Sequence, residues 1–387
     1  MLAQKDSPQL TMRRNLLFLF AINVGVSIVN SEISPIWPLY LVSLGATVVD
    51  ISLVASIANL VDTFLRSFTG MASDVYGRKG FIIMSSVLGM VALFLYTIPR
   101  SWAHMIPLAA LYMASFSLFM PARTALIADW CPPERRTRIY SAINISWPIG
   151  SVLGPVIGGI LAERYGWSYS FYAASAITAI TILPGLMLRE RETAKTKLGL
   201  NVRSLRAALP FFVFNFLMGF GIGSTSTIIP LYVQQLFNAT PTDVGFFFSI
   251  GSGAAMFIAQ LPAAWIPAKY GRRKTLILCL SILPLMFLLW PFATDYTILL
   301  LIYMAINGFW SMSWPSSLSL LMDAAEEDQR GVLTGFAQTS LMFGFTAGPL
   351  LGGILWEGVG PTAPFFASML ALATTLPIVP RLRSSKK

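Results

Sequence analysis

Apolar positions in this chain gather into long runs, and polar positions into short clusters between them. The runs fall near residues 15–40, 47–73, 80–99, 103–129, 139–164, 167–188, 208–236, 242–267, 275–292, 296–322, 331–356 and 361–380. Each is long enough for a helix to cross the hydrocarbon of a bilayer, which takes about 20 residues. The pattern predicts an all-α membrane protein with twelve transmembrane helices. The polar first 14 residues carry Lys5, Arg13 and Arg14. The run after them is too long for a signal-peptide core and lacks a small-residue cleavage site, so it reads as helix 1.

One polar cluster is more than a spacer. Gly70-Met-Ala-Ser-Asp74-Val-Tyr-Gly77-Arg78-Lys79-Gly80 sets three charges and flanking glycines between two spans. A plain basic loop would need Arg78 and Lys79 but neither Asp74 nor the glycines. The set therefore points to a turn held by ion pairs, with Gly70 and Gly77 permitting close backbone approach. This pattern resembles the loop between helices 2 and 3 of major facilitator superfamily transporters, with Ala72 where the family usually has leucine.

The pattern also repeats. An offset of 194 residues carries Gly77-Arg78-Lys79 to Gly271-Arg272-Arg273, Pro121 to Pro315, Asp129 to Asp323 and Arg136 to Arg330. The same offset carries Gly154-Pro155 to Gly348-Pro349 and Gly158-Gly159 to Gly352-Gly353. A constant offset across separate landmarks marks two homologous halves, the organisation of parallel six-helix repeats in that superfamily. The expected domains are residues 1–188 and 208–387, joined by a charged linker at 189–207.

Composition agrees: 55% hydrophobic residues, 11% charged, and a mean hydropathy of +0.68, far from soluble averages. The net charge of +10 is a topology signal and does not call for nucleic acid. Lys and Arg crowd the loops on the side of the N-terminus, whereas the opposite loops hold only Arg100 and Arg164. That bias places both termini in the cytoplasm and allows contact with anionic lipids. Cys131 and Cys279 sit in different halves without metal spacing and read as buried thiols. The short-looped chain suits a prokaryotic cytoplasmic membrane.

Candidate chemistry lies inside the spans. Gly150, Gly154, Pro155, Gly158 and Gly159 in helix 5 are small residues at helix-packing spacing, and they resemble the motif of drug:proton antiporters. Tight packing is the competing reading. Ionisable residues within spans are costly and are functional candidates by default. Asp62 and Arg66 are four apart on helix 2 and can pair. Depth counting places Arg123 of helix 4 at a similar level, so the three are expected to meet, as a proton site or as a structural ion pair. Glu32 is the other buried carboxylate, on the far side of helix 1 from a stripe of Asn23, Ser27, Asn30 and Ser34.

The resemblance further implies a charge relay of Asp74, Arg78 and Asp129 at the cytoplasmic gate, with Asp74 facing the start of helix 11. Ala268 stands at the Asp74 position of the second half, which is expected to keep the positive charge but not the relay. An early helix-4 arginine found in many antiporters is missing from Pro107-Leu-Ala-Ala-Leu-Tyr112. The family lines its central cavity with helices 1, 4, 7 and 10. That makes Asn23, Asn30, Tyr112, Asn215 and the helix-10 face of Tyr303, Asn307, Trp310 and Trp314 the substrate candidates, with Asn59, one turn beyond Asp62 on helix 2, added to them.

The expected function is secondary active transport by alternating access, first of all proton-coupled efflux of amphipathic organic compounds or drugs. Transport of an organic anion, phosphorylated metabolite or lipid through Arg66 and Arg123 is the alternative, and a non-transporting receptor of the same fold a further one. The single histidine, His104, has no metal or nucleophile constellation near it, and P-loop spacing is absent, so neither an enzyme nor direct use of ATP is expected. The expected partners are a small-molecule substrate, protons and membrane lipids, with no cofactor and a monomeric state.

Overall fold

A computed structural model describes residues 8–131, 133–190, 208–324 and 330–382. Lys5, linker positions 191–207 and the tail at 383–387 lie outside the described residues. Twelve spans, α1 to α12, cover Leu10–Ser43, Val48–Arg66, Arg78–Leu95, Trp102–Trp130, Ile139–Tyr165, Trp167–Met187, Leu209–Phe237, Pro241–Tyr270, Arg272–Phe292, Tyr296–Asp323, Val332–Gly358 and Ala363–Pro380. The α2 helix runs on past the span to Tyr76.

Local chemistry explains the ends. Thr47 accepts from the Asp50 amide while Asp50 accepts from the Thr47 amide, and Thr240 with Asp243 repeats this capping box at the start of α8. Gly77 and Gly271 turn the chain at φ of 97° and 90°, a region that side chains with a Cβ avoid. Among the described residues four spans are interrupted, α12 among them at Thr374 and Thr375. α5 breaks between Asn144 and Ser146, α7 breaks at Thr227, and α8 holds a π-helical turn over Ser249–Ala254.

Packing follows the repeat. α1 packs on α5 and α6, α2 on α4, and α3 on α4 and α6; α7 packs on α11 and α12, α8 on α10, and α9 on α10 and α12. Each pairing in the second group is the first group's pairing moved on by six spans. Between the groups, α2 lies against α11 and α5 against α8.

Glycine makes these approaches possible. A Cβ on Gly150 would sit 2.4 Å from the Ser27 backbone, and one on Gly154 2.3 Å from the Ile28 carbonyl, so both seat α5 on α1. Gly159 faces the other way, 2.5 Å from the Pro241 carbonyl of α8 by the same construction. Gly348 and Gly353 repeat this division, the first against α7 and the second against Ser52 of α2. The helix-5 motif therefore serves two interfaces at once.

The halves close at the end opposite the termini. There Glu357 accepts the Val49 amide at 2.9 Å and Glu163 accepts the Thr242 amide at 3.0 Å. Further in, Asn59 donates to the Phe345 carbonyl at 2.9 Å and Ser249 to the Val152 carbonyl at 2.7 Å.

Candidate functional site

A cavity of about 150 Å³ lies where the halves face each other. Its polar lining is Asn30 and Ser34 of α1, Asn59 of α2, Tyr112 of α4, and Ser226 and Thr227 at the α7 break. Trp37, Met113, Ile33, Tyr96 and small alanines supply the apolar wall. The arrangement is a mixed wall with orienting amides and hydroxyls, the usual make-up of a site for a small organic molecule. Among the described residues, no charged side chain lines it.

Asn30, Asn59 and Tyr112 thus sit where the sequence predicts. Trp37, Ser226 and Thr227 are additions; Trp37 continues the α1 stripe by helical spacing, three residues beyond Ser34.

Other predicted lining residues are placed elsewhere. Asn23 is fully buried and donates to the Ile143 carbonyl and to Ser146, and Ser27 donates to the Ser146 carbonyl at 2.7 Å, so this part of the stripe binds α5. Asn215 is spent on the Phe211 carbonyl of its own helix at 2.7 Å, and Asn307 on the Tyr303 carbonyl at 2.9 Å. Tyr303 stacks on Phe247 with centroids 5.0 Å apart and meets Trp290 edge-on, so aromatic packing inside the second half takes up its ring. Trp310 and Trp314 stack on each other at 6.4 Å and pack against the same core. The cavity lining thus takes in α2, where Asn59 is a candidate, but none of the four α10 candidates.

The predicted meeting of Asp62, Arg66 and Arg123 is divided. Asp62 is held by Arg66 at 2.6 Å, and the Arg66 guanidinium lies 5.7 Å from the Phe116 ring. Arg123 instead donates to Asn144 at the α5 break. It thus ties α4 to that interruption.

Glu32 is fully buried between α1, α5 and α6. Ser170 donates to one carboxyl oxygen at 3.1 Å, while the other oxygen has no hydrogen-bond partner. Its stem occupies the space above Gly158, where a Cβ would come within 2.8 Å of the Glu32 Cγ. No cation pairs with Glu32 among the described residues, which sets it apart from Asp62.

At the α2–α3 turn Arg78 bridges Asp74 at 3.0 Å, pairs with Asp129 and donates to the Ala125 carbonyl at 2.7 Å. Glu190 accepts the Lys79 amide at 2.5 Å, placing a carboxylate at the start of α3, where the helix dipole favours one. Asp74 is 57% exposed and engages Arg78; the start of helix 11, which it is expected to face, falls largely outside the described residues. The second half corrects a further expectation. Arg272 pairs with Asp323 at 2.5 Å, so half of the relay survives there despite Ala268.

The family model described as Major Facilitator Superfamily matches residues 16–210 and again 211–386. The quinolone resistance protein NorA of Staphylococcus aureus (strain COL) is 26% identical over 365 residues, 91% of each chain. Multidrug resistance protein 2 of Bacillus subtilis (strain 168) is 24% identical over 304 residues, 75% of this chain and 76% of its own. Among solved structures, the peptide transporter POT with alafosfalin superposes with a TM-score of 0.77 at 16% identity, covering 95% of this chain and 94% of that one. The nucleoside transporter NupG gives 0.73 at 15%, covering 94% and 97%.

Proposed function

The chain belongs to the Major Facilitator Superfamily and is a multi-pass membrane transporter, not an enzyme, and within that frame we propose that it exports amphipathic organic compounds or drugs in exchange for protons. The two halves would rock about the central cavity, with both termini cytoplasmic. The observation that carries this reading is the cavity wall: aromatic, amide and hydroxyl groups without a charge. Such a wall suits bulky, partly apolar molecules of varied shape. The named activities of the two bacterial relatives agree in kind. The anion alternative receives less support, because Arg66 and Arg123 are occupied by Asp62 and Asn144.

Glu32 is the carboxylate best suited to carry the proton. A buried carboxylate charge is expensive without a counter-ion, so neutralisation by a proton is what its site provides for. Asp62 already has Arg66. The remaining gate and relay residues, Gly70, Asp74, Gly77, Arg78, Lys79 and Asp129, would hold the cytoplasmic end.

The test is proton movement in reconstituted vesicles on adding lipophilic dyes and quinolones. Dye-driven proton flux should vanish in Glu32→Gln while counterflow exchange of dye persists. Intact proton coupling in Glu32→Gln would overturn the assignment of Glu32. Absence of any substrate-driven proton flux in the native protein, with substrate still equilibrating, would make it a uniporter.

A further inference from the structure

The two cytoplasmic-side turns share a backbone but not a charge balance. At the first, Arg78 and Lys79 are matched by Asp74, Asp129 and Glu190. At the second, Arg272, Arg273 and Lys274 share a cleft with Asp323, and Lys269 precedes them on α8. The sequence puts Ala268 at the position of Asp74 and Ser384 at that of Glu190. Asp323 is already bonded to Arg272, and Arg273 donates to the Pro380 carbonyl at 3.0 Å. Lys274 has no ion-pair partner among the described residues, and Lys269 lies over the Trp265 and Tyr270 rings at 4.7 and 5.2 Å.

Tyr270, Arg272, Arg273, Lys274 and Asp323 border an open cleft of about 560 Å³ between the ends of α8, α9 and α10, and Lys269 stands at its edge over the Tyr270 ring. Directly along α8 from the cleft runs an exposed apolar face of Phe257, Ile258, Leu261 and Trp265, with Leu261 80% exposed. Cations beside aromatic rings at the end of a span, above an apolar face, match the two ends of a phospholipid.

We propose that the α8–α9 turn is a binding site for one anionic phospholipid. Its phosphate sits between Lys269 and Lys274, and its acyl chains lie on the Phe257–Leu261 face. The lipid supplies the negative charge that the first turn carries in its own side chains.

The test uses the full chain purified in detergent. Phosphatidylglycerol, phosphatidylcholine of the same acyl chains, and inorganic phosphate are titrated in turn, with retention followed by native mass spectrometry and Tm. Phosphatidylglycerol should be retained over phosphatidylcholine. Lys269→Gln with Lys274→Gln should weaken its retention by about thirty-fold, the effect of removing two cations from an anionic headgroup, and Lys269→Arg with Lys274→Arg should retain it. Lys386→Gln with Lys387→Gln should change nothing. Equal retention of both lipids, an unchanged Gln variant, or an equal loss in the tail variant would overturn the site. Protection by phosphate alone would make it a free-anion site instead.

Discussion

Glu163 and Glu357 are separated by the 194-residue offset of the repeat, and each accepts an amide at the first turn of a helix in the opposite half. Glu163 takes Thr242 at the start of α8, and Glu357 takes Val49 at the start of α2. The closed end is thus pinned twice, by carboxylates set where a helix dipole welcomes them.

Opening that end must break both contacts. Glu163→Ala with Glu357→Ala should shift the population toward the opposite access state. A cysteine introduced at Ser34, in the cavity wall, should then react several-fold faster with an impermeant maleimide added from the closed side. An unchanged rate would show that the latches do not hold the closure.

The two relay pairs should differ in stability. Arg78 and Asp129 are 15% and 11% exposed, against 48% and 47% for Arg272 and Asp323. Removing one partner of a largely buried pair strands a charge, at about 3 kcal/mol, whereas an exposed pair is worth about 1 kcal/mol or less. Asp129→Asn should therefore lower Tm in detergent clearly more than Asp323→Asn. Equal losses would contradict this ranking.

Gly158 should matter through Glu32. An added methyl would press on the Glu32 stem, and overpacking of this kind costs about 1–3 kcal/mol. Gly158→Ala should impair proton-coupled flux and lower Tm. Gly80→Ala, where a Cβ would meet nothing within 4 Å, should leave flux unchanged and change stability by about 1 kcal/mol or less, since alanine is the better helix former.

Trp37 should set selectivity. Its ring lines the cavity, and an aromatic contact contributes about 1 kcal/mol beyond its area. Trp37→Ala should raise KM for aromatic substrates by about five-fold, that energy expressed as a ratio, and affect small aliphatic ones much less. A uniform change in kcat alone would place Trp37 outside the substrate contact.

Spans and repeat were legible because runs of bilayer length are the strongest pattern a sequence can carry. The offset holds down to single hydrogen bonds: Lys79 donates to the Leu186 carbonyl and Arg273 to that of Pro380. Side-chain destinations were less legible. Helical spacing puts Asn23 and Asn30 on one stripe, but it does not say which neighbour the stripe meets at each level. Over 34 residues α1 passes from α5 at Asn23 to the cavity at Asn30. The α10 aromatics looked like a substrate wall because nothing in sequence shows that Phe247 and Trp290 already cover Tyr303. The pair that remains in the second half, Arg272 with Asp323, is legible in the repeat, which carries Arg78 and Asp129 onto those two positions.

At several points glycine lets the halves meet on main chain: Gly159 on Pro241, Gly245 on Pro155 and Gly253 on Ser151, with Gly353 on the Ser52 side chain and the Val48 carbonyl. Patches of this kind behave as a bearing rather than a gear. At these patches a rocking motion can slide backbone over backbone without forcing rotamers through eclipsed states, so resistance to it comes from the polar pins, from side-chain pairs such as Phe64 with Phe343, and from the cargo. A bulky side chain at any of these four glycines would act as grit, slowing turnover with any substrate while leaving the cavity chemistry intact.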